Sequence, residues 1–417
     1  MGNISYFCIV KRFKRYLRYI VLAFFLLLTH QMRAQADSVL LAKMDSVEVS
    51  LLTCQPRQYI YSLYGHTAIR ITDHAHGTDF AVNYGLFSFD KPFFILRFVF
   101  GLTDYEMGII PYEPFRQEYE QERCGVRQQV LNLSRADKLA ILQAIDANNL
   151  PENRVYRYNY FYDNCTTRAR DIIINNINGQ VRYAAKGETP SYRDMIHAYT
   201  EGHPWARFGN DLLLGVAADN PTDARQQQFL PFNLSDDWAR ASVTAPDRST
   251  RPLVARTFWA ITPQAQTPDD TWTPTPLMCA AVLALVILSV CARDAQRKRL
   301  SWGLDIVLMA LCGLAGLILL AMVFSQHPTV RVNLQILLLN PLALFMLYPT
   351  AKALRHQRRC LWLTVGPICL VLFFIGTFWQ TYAEGMCILA LSLLVRAILV
   401  NYIVRTSTAN PIERKEQ

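Results

Sequence analysis

The sequence predicts an exported domain of the α+β class followed by an all-helical membrane domain of about five helices. Three observations lead to this fold class. The first residues have the composition of a secretory signal, residues 37–253 contain strand and helix patterns, and long apolar segments follow residue 277. Hydrophobic residues make up 52% of the 417 residues, and their excess lies in the first 30 residues and in the C-terminal part. This uneven distribution is typical of a folded domain joined to a separate membrane domain.

The start of the chain is typical of a cleavable signal peptide. A basic n-region precedes the apolar core Ile20–Leu28, and Ala34-Gln35-Ala36 supplies small residues for cleavage. The sequence therefore predicts a signal peptide over residues 1–36 and a mature chain from Asp37. An uncleaved anchor is the alternative, and in both cases the next domain lies outside the cytoplasm. The basic residues of the n-region are Lys11, Arg12, Lys14, Arg15 and Arg18.

The formal net charge of +9 does not indicate a nucleic-acid-binding face. The basic residues are grouped beside apolar segments, at Lys11–Arg18, Arg293–Arg299 and Lys352–Arg359, and in the tail. Such grouping is typical of membrane orientation, whereas a phosphate-binding surface needs basic residues gathered on one face of a folded domain. We therefore expect the inner membrane as a partner and no nucleic acid.

Residues 37–253 show short β-rich runs and amphipathic helical spacing. The predicted strands are Val47–Leu52, Thr67–Ile71 and Phe80–Phe89. The predicted helices are Ser134–Asn149, which begins with an N-cap serine, and a second one from about Cys165 to Asn176. Residues 254–276 are rich in Pro, Thr, Asp and Gln and lack apolar periodicity, so we place a linker there.

Five apolar segments follow the linker, and we assign residues 277–403 to the membrane domain. A membrane helix needs about 20 residues. The second and fourth segments reach that length, the first and third need flanking residues, and the fifth contains Arg396, which we expect to extend toward the cytoplasmic surface. The segments are Leu277–Ala292, Leu304–Phe324, Leu334–Leu347, Leu361–Trp379 and Gly385–Val400.

Basic residues in the loops predict the orientation of these helices. Four Lys or Arg residues follow the first segment and four follow the third, whereas the loops 325–331 and 380–384 carry one basic residue between them. Cytoplasmic loops are enriched in Lys and Arg. We therefore expect a multi-pass inner-membrane protein with its N-terminal domain in the periplasm and residues 404–417 as a cytoplasmic tail.

Three of the ten cysteines belong to the exported domain, at positions 54, 124 and 165. An odd number of cysteines in an oxidising compartment leaves at least one thiol unpaired within the chain. Cys54 and Cys124 could form a disulfide, in which case Cys165 is the free thiol.

Two short motifs carry residues suited to nucleophilic chemistry. Tyr64–Arg70 places His66 at the start of a strand after a glycine turn, and Asp163–Arg168 places Cys165 in the first turn of a helix. The partial positive charge of a helix N-terminus favours a thiolate over a thiol. A histidine within hydrogen-bond reach would complete a Cys–His pair for nucleophilic catalysis.

A third polar group would orient the imidazole ring, and Asn83 on the next strand is the first candidate, ahead of His74 and His76. The structural interpretation has equal weight at this point. A lone cysteine beside a polar turn is usually a small buried residue, and a lone histidine is usually a hydrogen-bonded structural one. Spacing alone does not show that His66 and Cys165 meet.

The order of histidine first and cysteine on a helix resembles permuted papain-like thiol enzymes such as the lecithin:retinol acyltransferase group, in which Asn-Cys opens the helix as Asn164-Cys165 does here. Further motifs resemble the Lnb family of bacterial lipoprotein N-acyltransferases, which have an N-terminal periplasmic domain and C-terminal membrane helices. These motifs are Tyr64–Arg70, Asn83-Tyr84-Gly85, Pro151–Arg154, Asn159 with Asp163–Arg168, Arg170-Asp171, Trp205, Asp211 with Gly215, and Phe229-Leu230-Pro231.

The resemblance implies a papain-like exported domain and a ping-pong acyl transfer without a cofactor. His66 would deprotonate Cys165, and the thiolate would take an acyl chain from a membrane phospholipid as a thioester. The chain would then pass to the α-amino group of a diacylglyceryl-modified lipoprotein. The backbone N–H of Cys165 and the side chain of Asn164 are candidate donors to the oxyanion.

Five further residues are candidates for substrate binding. Tyr64 and Arg168 lie in the two motifs. In the membrane domain we consider His327, Asn333 and Asn340 for lipid or acceptor binding, because polar groups at membrane depth are costly and often functional. The alternative is structural, since Asn can bond the carbonyls that a proline-bearing helix leaves unpaired.

Two other functions remain open on the sequence. A membrane-anchored papain-like cysteine peptidase or amidase of the cell wall would use the same residues, although an anchor needs one span rather than five. A non-catalytic lipid- or protein-binding module would not need Cys165. The sequence contains no His-x-Glu-x-x-His or Cys-x-x-Cys motif and no glycine-rich phosphate loop, so we expect no metal site.

Overall fold

An antiparallel sheet of seven strands forms the centre of the exported domain. The structure is a computed structural model and describes residues 38–87, 92–265 and 272–409. The predicted signal peptide and residues 410–417 of the predicted tail lie outside the described residues. The seven strands are β1 (Val47–Cys54), β2 (His66–Asp73), β3 (Thr78–Leu86), β4 (Asp104–Pro111), β5 (Val126–Leu131), β6 (Val155–Arg157) and β10 (Val254–Ile261).

The strands are hydrogen-bonded in the order β10-β5-β1-β2-β3-β4-β6. A second, three-stranded sheet contains β7 (Gln180–Arg182), β8 (Ser242–Thr244) and β9 (Thr250–Pro252). The three predicted strands are confirmed as parts of β1, β2 and β3, although β3 ends at Leu86. These runs are rich in β-branched and aromatic residues, which favour the pleated, half-buried environment of a sheet.

Helices cover both faces of the large sheet. After a short helix at residues 38–43, the chain forms α1 (Phe94–Val99), α2 (Tyr112–Gln121), α3 (Arg135–Asn149), α4 (Cys165–Ile174), α5 (Tyr192–His197), α6 (Pro204–Leu213), α7 (Ala224–Gln227) and α8 (Pro231–Ala239). The central strand β1 shows the two-sided burial. Val49 and Leu51 pack with side chains of α3, α4 and α8, whereas Leu52 and Cys54 pack on the opposite face with side chains of α2.

The capping signals read from the sequence define helix α3. The hydroxyl of Ser134 accepts a hydrogen bond from the N–H of Asp137 at 3.1 Å, and the carboxylate of Asp137 accepts one from the N–H of Ser134 at 3.0 Å. This capping box satisfies two N–H groups at the helix start. The predicted helix at Ser134–Asn149 is confirmed, with Ser134 as its N-cap.

The linker predicted from residue 254 begins later than the sequence indicated. Residues Val254–Ile261 form the edge strand β10, which pairs antiparallel with β5. Their side chains are mostly exposed, which explains the missing apolar periodicity: an edge strand gains stability from backbone pairing with its neighbour. The exported domain therefore extends to Ile261.

The membrane domain contains five apolar helices. They are α9 (Pro276–Arg297), α10 (Trp302–Val323), α11 (Leu342–Arg355), α12 (Trp362–Gly376) and α13 (Met386–Ala409). Among the described residues, four segments are long and apolar enough to cross a membrane: Pro276–Arg297, Trp302–Val323, Pro328–Arg355 and Met386–Ser407.

Two details differ from the predicted segments. The fourth was expected to reach full length, but α12 has 15 residues and ends at Gly376, where a Cβ would lie 2.2 Å from the hydroxyl of Tyr382. The third begins with a 3-10 turn at Leu334–Leu337, and the Asn340-Pro341 step separates this turn from α11. Close packing and proline thus shorten helices whose composition alone favours a full span.

Arg396 lies toward the end of α9 and the start of α10, which flank the basic loop, but its side chain is buried in ion pairs rather than exposed at the membrane surface. Its side chain is 2% exposed and donates to Asp294 of α9 at 2.8 Å and to both carboxylate oxygens of Asp305 of α10, at 2.9 and 2.7 Å. A buried guanidinium needs carboxylate partners, and these two residues come from distant parts of the sequence. The cluster joins three membrane helices.

Backbone hydrogen bonds join the exported domain to the membrane domain. The backbone N–H groups of Gly215 and Val216 donate to the carbonyls of Thr329 and Val332, both at 2.8 Å. A Cβ on Gly215 would lie 2.0 Å from the carbonyl oxygen of Val332, so this approach requires glycine. The two domains therefore meet through a close backbone contact.

Candidate active site

Cys165 is the first residue of α4, and the preceding side chain sets its position. Oδ1 of Asn164 accepts hydrogen bonds from the backbone N–H groups of Thr166 and Thr167, each at 2.9 Å. The hydroxyl of Thr167 accepts a bond from the N–H of Asn164 at 2.8 Å and completes a capping box. The first N–H groups of a helix have no carbonyl partner within it, and this cap satisfies two of them. Cys165 therefore starts the helix in a defined orientation.

His66, the first residue of β2, lies beside the sulfur of Cys165. The turn before it requires glycine, because Gly65 has a φ of +78° and a Cβ there would lie 2.5 Å from the carbonyl oxygen of Cys54. The imidazole of His66 and the thiol of Cys165 line the same cavity and lie close enough to shift each other's pKa. On the other side of the ring, Nε2 of His66 lies 3.0 Å from Oδ1 of Asn83 on β3. The fold brings these three side chains together.

The electrostatics of the pair favour charge separation. Burial raises the pKa of the Cys165 thiol, but the charge and hydrogen bond of His66, the N–H of Thr67 and the hydroxyl of Thr166 outweigh it, so the pKa lies below its ordinary value. Burial lowers the pKa of His66, whereas the thiolate charge and hydrogen bonds to Cys165 and Asn83 raise it above its ordinary value. Each group stabilises the charged form of the other. Both shifts increase the share of thiolate and imidazolium relative to an isolated thiol and imidazole, and the thiolate is the nucleophilic form.

Two threonines that the sequence analysis did not single out complete this environment. Oγ1 of Thr166 lies 3.8 Å from the sulfur of Cys165, and the backbone N–H of Thr67 contributes to the lowered pKa of that thiol. The two threonine hydroxyls are hydrogen-bonded to each other at 3.0 Å. Their adjacency to His66 and Cys165 in the chain was the signal that could have identified them.

The Cys–His pair opens into a cavity of about 300 Å³, called here the catalytic cavity. Its walls combine aromatic rings with a few polar side chains, which is typical of small-molecule sites. The lining residues include Arg57, Tyr64, Phe87, Tyr105, Tyr158, Tyr160 and Leu230. A space of this size accepts part of a lipid molecule or the end of a peptide.

Asn164 does not have the free side-chain N–H expected of an oxyanion donor. Its Nδ2 donates to the backbone carbonyls of Tyr160 and Phe229, both at 2.9 Å. A carboxamide has two N–H donors, and both are used in these bonds. Its oxygen caps α4. Asn164 is therefore a positioning residue that ties the start of the helix to two neighbouring segments, and the expected oxyanion role of its side chain is wrong.

The two substrate-binding candidates in the motifs lie in different places. Tyr64 lines the catalytic cavity, and its hydroxyl accepts a hydrogen bond from Asn210 at 2.6 Å. Arg168 bonds both carboxylate oxygens of Asp163 at 2.7 Å and lies over the ring of Tyr156, 3.6 Å from its centre. Arg168 is not part of the wall of the catalytic cavity. Its contacts with Asp163 and Tyr156 stabilise the start of α4, and it lines a separate cavity.

Asn333 joins the two domains instead of facing a substrate. It is 6% exposed, and its Nδ2 donates to the carbonyl of Leu212 at 2.8 Å. Its Oδ1 accepts from the N–H of Gln335 at 3.0 Å and from Nε2 of Gln380 at 2.9 Å. Gln335 and Gln380 also donate to carbonyls of the 211–214 segment. This network satisfies backbone groups at the domain contact, so the structural alternative applies to Asn333.

The other two membrane-domain candidates are separate from each other. Asn340 caps the N–H of Leu342 at 3.0 Å, donates to the sulfur of Cys369 at 3.5 Å and lines a cavity within the helix bundle, away from Cys165. His327 lies beside α1 of the exported domain, with its ring centre 6.3 Å from that of Phe98. Of the three predicted residues, His327 is the one that faces the exported domain near the catalytic cavity.

The remaining candidates lie outside the site. Cys54 and Cys124 are not joined to each other, so the disulfide considered from the sequence is not formed in this structure. His76 is exposed and bonds Asp73 at 2.6 Å, at the opposite end of β2 from His66. Within the described ranges, no group of three or more His, Cys, Asp or Glu side chains could hold a metal ion.

The fold and site define a membrane protein with a Cys–His–Asn arrangement in an α/β domain outside the helix bundle. Residues 40–200 match the family model described as the Lnb N-terminal periplasmic domain, and residues 268–408 match the one described as the Lnb transmembrane domain. The chain belongs to the Lnb-type family, which combines an N-terminal periplasmic domain with C-terminal membrane helices. Comparison with curated proteins and with solved structures returned no match.

Proposed function

We propose that this protein is a membrane-bound thiol acyltransferase that adds an acyl chain to the lipidated N-terminal cysteine of bacterial lipoproteins. The observation that carries the proposal is the Cys165–His66–Asn83 arrangement, in a cavity whose aromatic wall is shared with a second cavity that reaches the membrane domain. A thiol with a lowered pKa suits covalent catalysis, and acyl esters are abundant in the adjoining membrane. Membership of the Lnb-type family supports lipoproteins as acceptors.

In the first half-reaction, an acyl chain moves from a phospholipid to the protein. The thiolate of Cys165 attacks the ester carbonyl carbon, the carbon–sulfur bond forms, and the bond from that carbon to the glycerol oxygen breaks. The imidazolium of His66 gives its proton to the leaving oxygen. The products are a thioester on Cys165 and a lysophospholipid.

In the second half-reaction, the α-amino group of the lipoprotein attacks the thioester. The carbon–nitrogen bond forms and the carbon–sulfur bond breaks, while the now neutral His66 accepts the proton of the amine. The thiolate and imidazolium are restored. Thioesters react readily with amines, and water must be kept away from the intermediate, which accounts for a site close to the membrane.

The negative oxygen that forms in each step needs donors. The backbone N–H of Cys165 is the first of α4 and points out of the helix end, where the partial positive charge of the helix also acts. With the side chain of Asn164 committed elsewhere, we assign the oxyanion role to this N–H. The order of these residues along the chain supports a permuted papain-like arrangement: His66 and Asn83 lie on strands, and Cys165 follows them at the start of a helix.

We also propose the orientation expected from the loops, with the exported domain in the periplasm and the C-terminus in the cytoplasm. The basic residues around Arg297 and Arg355 follow the ends of α9 and α11, and these ends lie on the side of the membrane that the positive-inside rule assigns to the cytoplasm.

The test is mass spectrometry of lipoprotein N-termini in cells that rely on this gene alone. Cells with Cys165→Ala should lack the N-linked acyl chain although the protein accumulates in the membrane, and Cys124→Ala, which removes another buried thiol of the same domain, should keep it. Retention of the N-acyl chain in Cys165→Ala would show that Cys165 is not the nucleophile. A cell-wall peptidase or a binding module would then be the better description.

A further inference from the structure

A second cavity of about 410 Å³ adjoins the catalytic cavity. Five aromatic residues line both spaces: Tyr64, Phe87, Tyr105, Tyr158 and Tyr160. The rings of Tyr105 and Tyr158 are stacked with centres 4.2 Å apart, and those of Tyr64 and Tyr160 meet edge to face at 5.1 Å. The two cavities are therefore neighbours across one aromatic wall. We call the second one the aromatic cavity.

The aromatic cavity lies between the two domains. On the exported side it is bounded by α1, through Phe94 and Phe98, and on the membrane side by Met322, His327 and Val330. Its volume falls within the range of about 300–1,000 Å³ typical of small-molecule sites. Such a site, largely walled by aromatic and aliphatic side chains, favours an apolar occupant.

Helix α1 places this cavity at the membrane surface. The N–H of Gln326, just after membrane helix α10, donates to the carbonyl of Phe100 at 3.0 Å. Phe93, Leu96 and Phe98 are 77%, 56% and 45% exposed, which is costly in water for three neighbouring large apolar side chains. Because α10 spans the membrane and ends beside them, these side chains lie at the level of the outer lipid leaflet.

We propose that the aromatic cavity binds the acyl chain that Cys165 receives, and that the chain enters from the outer leaflet beneath α1. This inference rests on the proposed function and adds the site that holds the hydrocarbon part of the donor lipid. With the carbonyl carbon bonded to the sulfur of Cys165, the chain passes the shared aromatic wall and its remainder lies between α1 and the Met322–Val330 segment.

Two polar groups in the cavity are compatible with such an occupant. Burial lowers the pKa of His327, so the ring is neutral near pH 7 and places no charge against a hydrocarbon chain. The hydroxyl of Tyr160, in the wall shared by both cavities, is buried and has no hydrogen-bond partner among the described residues. An ester oxygen of the incoming lipid at this junction would accept its hydrogen bond.

The first experiment compares Met322→Trp with Val323→Trp in the full-length protein in lipid nanodiscs. Met322 is 3% exposed and lines the aromatic cavity, whereas its neighbour Val323 is 41% exposed on the outside of the same helix. The measurement is the mass of the acyl group on Cys165 after acid quenching, with phospholipids of mixed chain length as donors. We expect Met322→Trp to lower the ratio of long to short acyl groups by about tenfold or more, and Val323→Trp to match the wild type.

A water-soluble short-chain thioester separates this inference from the proposed function. If the wild type forms no acyl-enzyme with either donor, the proposed function fails. If the wild type forms the acyl-enzyme and Met322→Trp accepts long chains to the same extent as the wild type, the proposed acyl-chain site is wrong. Reaction of Met322→Trp with the short-chain thioester at the wild-type rate, with loss of long chains, supports the site.

A probe experiment on the unmodified protein covers the case in which Met322→Trp does not fold. A phospholipid with a diazirine near the end of its acyl chain is supplied as donor, and the sample is irradiated. The cross-linked positions on the protein are then mapped by peptide mass spectrometry. Adducts on Phe94–Phe98 or Met322–Val330 are expected, and adducts confined to other segments would overturn the proposal.

Discussion

Nε2 of His66 lies 3.0 Å from Oδ1 of Asn83, on the next strand of the sheet. A carboxamide oxygen can only accept, so Nε2 carries a proton and Nδ1 is left to exchange a proton with Cys165. The strand pairing holds this arrangement, because Ala68 and Asn83 are directly opposed in β2 and β3. Asn83 therefore selects the tautomer and the orientation of the ring.

Replacing Asn83 should change the pH dependence of acyl-enzyme formation. The hydrogen bond from His66 to Asn83 raises the pKa of His66, so Asn83→Ala should lower that pKa and move the alkaline limb of the rate profile to lower pH. Asn83→Asp adds a negative charge and should move the same limb to higher pH. The loss of orientation in Asn83→Ala should slow the reaction by up to about 100-fold. Identical limbs in all three proteins would exclude this role of Asn83.

The charge of His66 should determine the reactivity of the Cys165 thiol. His66 lowers the pKa of Cys165, whereas burial alone raises it. In wild type the thiolate should therefore be alkylated by iodoacetamide at pH values below the ordinary thiol pKa of about 8.5. In His66→Ala the midpoint should move upward past that value. His76→Ala, which removes an exposed histidine at the other end of β2, is the control and should leave the midpoint unchanged.

Removing the cap of α4 should affect both stability and thiol reactivity. Asn164→Ala loses two accepted bonds at the helix start and two donated bonds to backbone carbonyls. Loss of an N-cap costs about 0.5–2 kcal/mol, so the melting temperature should fall. Ser134→Ala removes the cap of α3 far from the site and should lower the melting temperature similarly. Only Asn164→Ala should also slow alkylation of Cys165, and equal alkylation rates would contradict the positioning role.

The contact between the domains should be sensitive to a single methyl group. Gly215→Ala places a Cβ 2.0 Å from the carbonyl oxygen of Val332, and such overpacking costs about 1–3 kcal/mol. We expect a lower melting temperature in detergent and slower transfer from membrane lipids. Gly209→Ala is the matched control, because nothing lies within 4 Å of its Cβ and alanine favours the helix α6. A wild-type melting temperature for Gly215→Ala would mean that the domains separate without loss of stability.

The buried ion cluster of the membrane domain should make Arg396 important for stability. Arg396→Met leaves the carboxylates of Asp294 and Asp305 buried without their partner, which costs about 3–5 kcal/mol. Arg297→Met, at an exposed position at the end of α9, should have little effect. Adding Asp294→Asn and Asp305→Asn to Arg396→Met should restore part of the loss. If this triple variant is no more stable than Arg396→Met, the cost does not come from unpaired charge.

Much of the local structure was predictable because its signals are local. The capping residue Ser134, the glycine turn before His66 and the apolar membrane segments each depend on residues within a few positions of one another. The membership of the Lnb-type family was likewise indicated by short motifs in a fixed order. Such features can be recognised without knowledge of the fold.

Other features depended on residues far apart in the chain. β10 lacks an apolar pattern because it lies at the edge of the sheet with most side chains exposed. The amide of Asn164 is occupied because it donates to the carbonyls of Phe229 and Tyr160. Arg396 is buried because Asp294 and Asp305 lie on two other helices.

The sequence by itself thus determined the domain order, the membrane segments and the two motifs that carry His66 and Cys165. Tertiary structure decided that these residues meet and that Asn83, rather than His74 or His76, lies against the ring of His66. It also decided that Asn333 donates to the carbonyl of Leu212 in the exported domain. The physical reason is that hydrogen bonds and buried charges are satisfied by whatever group the fold brings within about 3 Å, irrespective of its distance along the chain.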